Sequence, residues 1–143
     1  MQSVDGGFYS STDADSEGEE GKYFVWSPDE IKAELNDELA KIAIEYYGVT
    51  EKGNFEHGKS VLTNYTTTSY DESQLQKIRE TLLAARQQRI APNLDDKIIA
   101  SWNGLAINAL AEASWVLGEP RYLQAAERAA DFVLSNMIDK DGN

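Results

Sequence analysis

Residues 98–117 read IIASWNGLAINALAEASWVL, and this stretch decides the fold class. Ile99, Trp102, Leu105, Ile107, Leu110, Ala113 and Val116 recur at helical spacing and spread around nearly the whole circumference, with Glu112 the single charge. A helix that is apolar on almost every side has to be enclosed by other helices. Gly118-Glu119-Pro120 then sets a glycine past one helix end and a proline just inside the next helix start. From Tyr122 to Ile138 the pattern is amphipathic: Leu123, Ala126, Ala130, Val133 and Met137 share one side, and Gln124, Glu127, Arg128, Asp131 and Ser135 fall largely on the other. An inner helix followed by an outer one is therefore predicted over 98–138. Asp139-Lys140-Asp141-Gly142-Asn143 reads as a turn, and the segment is expected to be cut from a longer protein.

Working outward, residues 71–90 predict a helix with Leu75, Ile78, Leu82 and Ala85 on one face. Residues 27–49 predict two short helices. Ser27-Pro28-Asp29-Glu30 supplies a cap, an N-terminal proline and a capping-box acid, and Asn36-Asp37 recaps the run before Gly48 ends it. Residues 50–70 read as loop, with a short extended piece at Ser60-Val61-Leu62-Thr63. Residues 6–26 predict a β-hairpin and acidic loop, in which Gly7 to Ser10 pairs with the aromatic run Lys22-Tyr23-Phe24-Val25-Trp26 across Asp13 to Gly21. The fold class is mainly α.

The 143 residues carry 25 acids against 13 Lys and Arg, a formal charge of −12, and no cysteine. Carboxylates repel phosphate, so nucleic acid is not an expected partner. Without cysteine, disulfide exchange, a thiolate nucleophile and a Cys-ligated zinc or iron–sulfur site are excluded within these residues. No apolar run approaches the roughly 20 residues that span a bilayer, and the first residues lack a signal peptide's basic and apolar regions. The expectation is a cytoplasmic domain that does not engage a membrane and uses no cofactor.

Three blocks carry a family resemblance: Gly7-Phe8-Tyr9-Ser10 through Asp13-Ala14-Asp15-Ser16-Glu17 with Lys22-Tyr23-Phe24-Val25-Trp26; Gly53-Asn54-Phe55-Glu56; and Asp95-Asp96-Lys97 with Trp102-Asn103-Gly104-Leu105. In this order they resemble the YyaL and spermatogenesis-associated protein 20 type of thioredoxin-domain protein. The resemblance implies a longer chain, with an amino-terminal thioredoxin-like domain followed by a barrel of paired helices similar to N-acylglucosamine 2-epimerases and other six-hairpin carbohydrate enzymes. Residues 1–143 would then be part of an (α/α) six-hairpin toroid without the thioredoxin-like domain. The implied activity is carbohydrate isomerase- or epimerase-like in the full-length protein, with the segment alone inactive. Cut from its neighbours, such a segment is expected to expose an apolar patch and self-associate.

Candidate residues follow from where acids, rings and the single imidazole fall. Asp95, Asp96 and Lys97 precede the apolar helix, where acids could cap it or act as acid or base in a cleft at its first turn. Trp102 could stack on a sugar ring beside Asn103, or be core. Asp13 and Asp15 could supply a second carboxylate, be solvated, or begin a calcium loop. The calcium pattern fails because Phe24 stands where a bidentate Glu is needed, and no metal is expected. His57 suits proton transfer near neutral pH or is a surface loop residue. The leading reading is a barrel that binds or processes a carbohydrate-like small molecule. The alternative is a helical scaffold or interaction module serving a thioredoxin-like domain.

Overall fold

The computed structural model describes residues 1–64 and 66–139. The chain is mainly helical and divides into two compact units, one formed by residues 14–93 and one by residues 1–13 with 94 onward. The turn expected at 139–143 lies, from residue 140 on, outside the described residues.

The unit of residues 14–93 contains three helices, α1 (Pro28–Glu34), α2 (Asp37–Tyr46) and α3 (Glu72–Arg86). Each begins where a side chain satisfies free backbone N–H groups. Ser27 and Glu30 close the capping box in both directions, Asn36 accepts from the Leu39 N–H, and Asp71 accepts from the Ser73 N–H. The capped helices enclose a core of Trp26, Ile31, Leu35, Leu39, Ala43, Val49, Leu75, Ile78 and Leu82. The predicted face of α3 is the one buried.

The predicted hairpin differs from the structure in its pairing. Phe8 bridges Gln2, and Trp26 bridges Ser60, with the Trp26 N–H donating to the Ser60 carbonyl at 2.9 Å and the reverse bond at 2.7 Å. The segment expected as loop over 50–70 thus contributes a bridge, and a 3-10 turn at Glu56–Gly58. A hairpin does form inside the acidic loop, between β2 (Asp15–Ser16) and β3 (Glu19–Glu20), with Ser16 opposite Glu19. Its two connecting residues, Glu17 and Gly18, have φ of 55° and 79°, the left-handed pair that matches strand twist in a tight hairpin. The aromatic run cannot continue as a strand because Gly21, at φ 71°, turns the chain and accepts from the Phe24 N–H at 2.8 Å.

The second unit pairs α4 (Ala100–Leu117) with α5 (Pro120–Asn136). Gly118, in the left-handed region at φ 67°, ends α4, and Pro120 opens α5, as the sequence predicts. A two-residue ladder joins β1 (Ser11–Thr12) to β4 (Leu94–Asp95). The N-terminal segment is held on the helices by buried glycines and two side-chain amides, Asn103 on α4 and Gln2, whose Nε2 donates to the Ala125 carbonyl of α5 at 2.9 Å. A Cβ at Gly6 would meet the Arg128 carbonyl, and one at Gly7 would lie 2.8 Å from both Ile98 and Phe132. The Asn103 side chain is buried and acts as a strand partner: its Oδ1 accepts from the Phe8 N–H at 2.7 Å, and its Nδ2 donates to the Phe8 carbonyl at 3.0 Å and to the Ile99 carbonyl at 3.1 Å.

Full enclosure of α4 is not what this chain provides. Asn103 is its one buried residue, whereas Leu105 is 73% and Trp115 86% exposed, because α5 and the N-terminal segment cover a single face. An apolar patch on α4 is therefore exposed. No helix among the described residues is long and apolar enough to cross a membrane.

Replacing Asn103 by Leu should leave the Phe8 N–H and carbonyl without partners. The expected loss is roughly 2 to 4 kcal/mol of unfolding free energy in urea titrations, since each buried unpaired polar group costs about 1 to 3 kcal/mol. A loss below about 0.5 kcal/mol, the range of an ordinary surface change, would contradict the clamp.

Candidate functional site

The unit of residues 14–93 holds a cleft of about 570 Å³. It is built where the acidic hairpin, the turn at 21–25, the start of α1, the 3-10 turn and the segment after α3 converge. Arg89 organises one wall. Its Nη1 donates to the carbonyls of Val25 at 2.8 Å, Tyr23 at 3.1 Å and Lys22 at 3.4 Å, and the guanidinium lies 3.9 Å above the Trp26 ring. A planar cation can stack on a ring and donate in its own plane at once, which an ammonium cannot do. Phe55 seats its ring on Gly21, where a Cβ would stand 3.0 Å from the ring edge.

Charged side chains in the cleft are partly satisfied. Glu30 accepts from the Ser27 N–H at 2.6 Å through one oxygen and from the Lys59 ammonium at 2.7 Å through the other. Burial alone pushes its carboxyl up, but the bonds from Lys59 and Ser27, with the charges of Lys59 and Arg89, hold it below the usual carboxylate range. Lys22 lies 3.1 Å from Glu19 and 3.4 Å from Glu17, and the bond to Glu19 leads in holding its ammonium above the ordinary value. Five glutamates line the cleft against Lys22, Lys59 and Arg89, a balance that disfavours a phosphorylated ligand. The remaining carboxylate oxygens can accept hydroxyls, and the Tyr23 and Phe55 rings offer faces for stacking.

His57 lines this cleft with its side chain exposed and Nε2 3.9 Å from Glu56. Glu17 and His57 are the two non-glycine residues with positive φ among the described residues, and both line the cleft. Such backbone is uncommon outside glycine and gathers at ligand sites more often than elsewhere.

The remaining sequence candidates fall elsewhere. Asp15 is in β2, opposite Glu20. Asp13, Asp95, Asp96, Lys97, Trp102 and Asn103 belong to the other unit. There the structure brings Asp95 and Lys97 together, with Nζ 3.0 Å from Oδ2, and the Lys97 bond leads in lowering the Asp95 carboxyl below its ordinary range. Neither Asp95 nor Asp96 caps α4: Asp95 is in β4, and the cap position is Ile99, which makes no side-chain cap bond. Asp96 is exposed and makes no hydrogen bond or ion pair among the described residues. Trp102 is 55% exposed, while both amide hydrogens of Asn103 are committed to backbone carbonyls, leaving it none for a ligand. Among the described residues, no group of three or more His, Asp or Glu is placed to hold a metal ion.

The sequence marks Glu30 only as a capping-box acid, and marks none of Arg89, Lys59, Tyr23 and Phe55 as a site residue. Their signal was present in a different form: two of the three blocks that carry the family resemblance, 22–26 and 53–56, contribute Lys22, Tyr23, Val25, Phe55 and Glu56 to the cleft.

A carboxylate lowered in the folded state contributes stability above its unfolded value and loses that contribution as pH falls through the folded value. Glu30→Gln keeps a capping-box acceptor but removes the ion pair with Lys59. Its melting temperature should lie below that of the parent chain near neutral pH, and the gap should close on acidification. A gap that stays constant down to acid pH would show that the pair contributes nothing.

No protein-family model matches the chain. It is 34% identical to an uncharacterized protein of Caenorhabditis elegans across 96% of the chain and 23% of that protein. It is 32% identical to human spermatogenesis-associated protein 20 across 94% of the chain and 22% of that protein, and 30% identical to the rat protein of the same name across 94% and 21%. The chain thus spans between a fifth and a quarter of the length of these relatives. Along nearly its whole length, the chain is thus similar to a segment of the spermatogenesis-associated protein 20 type of protein.

Proposed function

We propose that the chain is part of a closed barrel of helical hairpins that binds or processes a carbohydrate-like small molecule in the full-length protein. The observation that carries this reading is α4. It is apolar around most of its circumference, packs on α5 through one face and leaves Leu105, Trp115, Val116 and Leu117 exposed. A patch of this kind marks an interaction surface, and in a toroid of helical hairpins the flanks of an inner helix are covered by neighbouring inner helices. The cleft adds support for the ligand class, since carboxylate acceptors beside ring faces suit an uncharged molecule rich in hydroxyls.

In this reading Asp95, Asp96, Lys97 and Trp102, at and before the first turn of α4, are the polar and aromatic groups of that unit on the ligand side. Asp95 and Lys97 engage one another, whereas Asp96 makes no hydrogen bond or ion pair among the described residues.

Saturation-transfer NMR of the full-length protein with glucose, mannose and N-acetylglucosamine tests the reading. Binding of at least one sugar is expected, and Asp96→Asn should weaken it while leaving the melting temperature within about 1 °C, because Asp96 holds no structural bond and isolated surface changes fall within roughly 0.5 kcal/mol. Binding unaffected by Asp96→Asn would remove that residue from the site. No binding of any of the three would contradict the carbohydrate reading and favour a helical module serving a thioredoxin-like domain.

A further inference from the structure

The face of α4 that points away from its partner is not uniformly apolar. Ala106, Ile107, Leu110 and Ala113 are half-buried on the side covered by α5 and the N-terminal segment. At about 100° per residue, Ser101, Asn108 and Glu112 fall on the opposite side, at spacings of seven and four, and all three are exposed. Glu112 is the sole charge on the helix. This polar stripe is bordered by two apolar strips, with Ala100, Gly104, Ala111 and the exposed Trp115 on one flank and Leu105, Ala109 and Val116 on the other.

The two flanks have the character of packing surfaces. Gly104 stands in the helix interior, where glycine is unfavourable by about 1 kcal/mol relative to alanine. Nothing inside this chain requires it: an added Cβ would meet no atom within 4 Å. A glycine between two alanines on one strip lets a neighbouring backbone approach closely, and the branched side chains on the other strip offer apolar area. When both flanks are covered by helices beyond the first turn, the stripe between them is the part of α4 left facing open space there, directly across from α5.

We propose that Asn108 and Glu112, with Ser101 two turns earlier, form a ligand-facing stripe on the inner wall of the barrel. There they hydrogen-bond the hydroxyls of an uncharged, polyhydroxylated small molecule. This rests on the barrel reading above. Asn108 and Glu112 are one turn apart, roughly 6 Å along the axis, close enough to engage neighbouring hydroxyls of one sugar ring. The carboxylate accepts from hydroxyls, and the amide both donates and accepts. A lone carboxylate between two apolar strips keeps its solvation only where the space beyond it is open, which argues against its lying in a helix interface.

Single-cysteine replacements of Asn108, Ala109, Ala111 and Glu112 in the full-length protein test the placement. Each is reacted with a small water-soluble methanethiosulfonate and followed by peptide mass spectrometry, which this segment's lack of native cysteine makes unambiguous. The cysteines at 108 and 112 should label roughly ten times faster than those at 109 and 111, since thiol modification follows exposure. Equally fast labelling at all four positions would overturn the stripe and the barrel reading together. Slow labelling at all four would overturn the stripe while leaving a covered α4. For the ligand, Glu112→Gln and Asn108→Ala should each abolish the saturation-transfer signal of whichever of the three sugars the unmodified protein binds, with the melting temperature retained. Signals unchanged in both variants, or no sugar signal from the unmodified protein, would overturn the ligand assignment.

Discussion

An apolar helix needs more cover than one partner can provide, and α4 places the rest of its unit under that constraint. Its one covered face is closed by α5 through the turn at Gly118 to Pro120 and by the N-terminal segment, which Gly6 and Gly7 allow to lie directly on the helices. Asn103 makes this arrangement specific. By pairing with both the N–H and the carbonyl of Phe8, its amide fixes the register of a segment distant in sequence, where apolar contact alone would let it slide. The other flanks of α4 are then defined by what remains uncovered, and on them apolar strips alternate with a polar stripe.

The unit of residues 14–93 follows a different logic, in which local caps set the helices and one cation shapes the surface. Ser27, Asn36 and Asp71 each start a helix, and the buried faces of α1, α2 and α3 close on Ile31 and Ile78. Arg89 gathers three carbonyls of the 22–25 turn and stacks on Trp26, so a segment rich in aromatic residues becomes a cleft wall. Glu30 links the two levels, since the same carboxylate closes the capping box of α1 and pairs with Lys59 in the cleft.

What the sequence disclosed and what it hid divide along the range of the interactions. The capping box at Ser27 and Glu30, the second cap at Asn36, the α3 face and the glycine–proline turn between α4 and α5 are all local signals, and each helix stands where they predict it. The hairpin was misplaced because its turn uses Glu17 in the left-handed region, a position where Asn or Asp would have announced it. Tyr23 to Val25 has strand composition, yet Gly21 and the distant Arg89 hold it as a turn. Asn103 read as a substrate residue because its strand-like pairing with Phe8 spans most of the chain and leaves no periodic trace. The cleft shared that obscurity: Glu30, Lys59 and Arg89 meet only through the fold, and of the cleft residues only His57 stood out as a chemical group.

The central claim is that α4 is built to be covered on both flanks. Sedimentation velocity of residues 1–143 alone, over a concentration series and alongside a Leu105→Glu, Val116→Glu double variant, tests it most directly. The account predicts association that rises with concentration and is suppressed in the double variant, because the exposed apolar flank seeks cover and the added charges deny it. A parent segment that stays monomeric at every concentration, sedimenting as the double variant does, would contradict it.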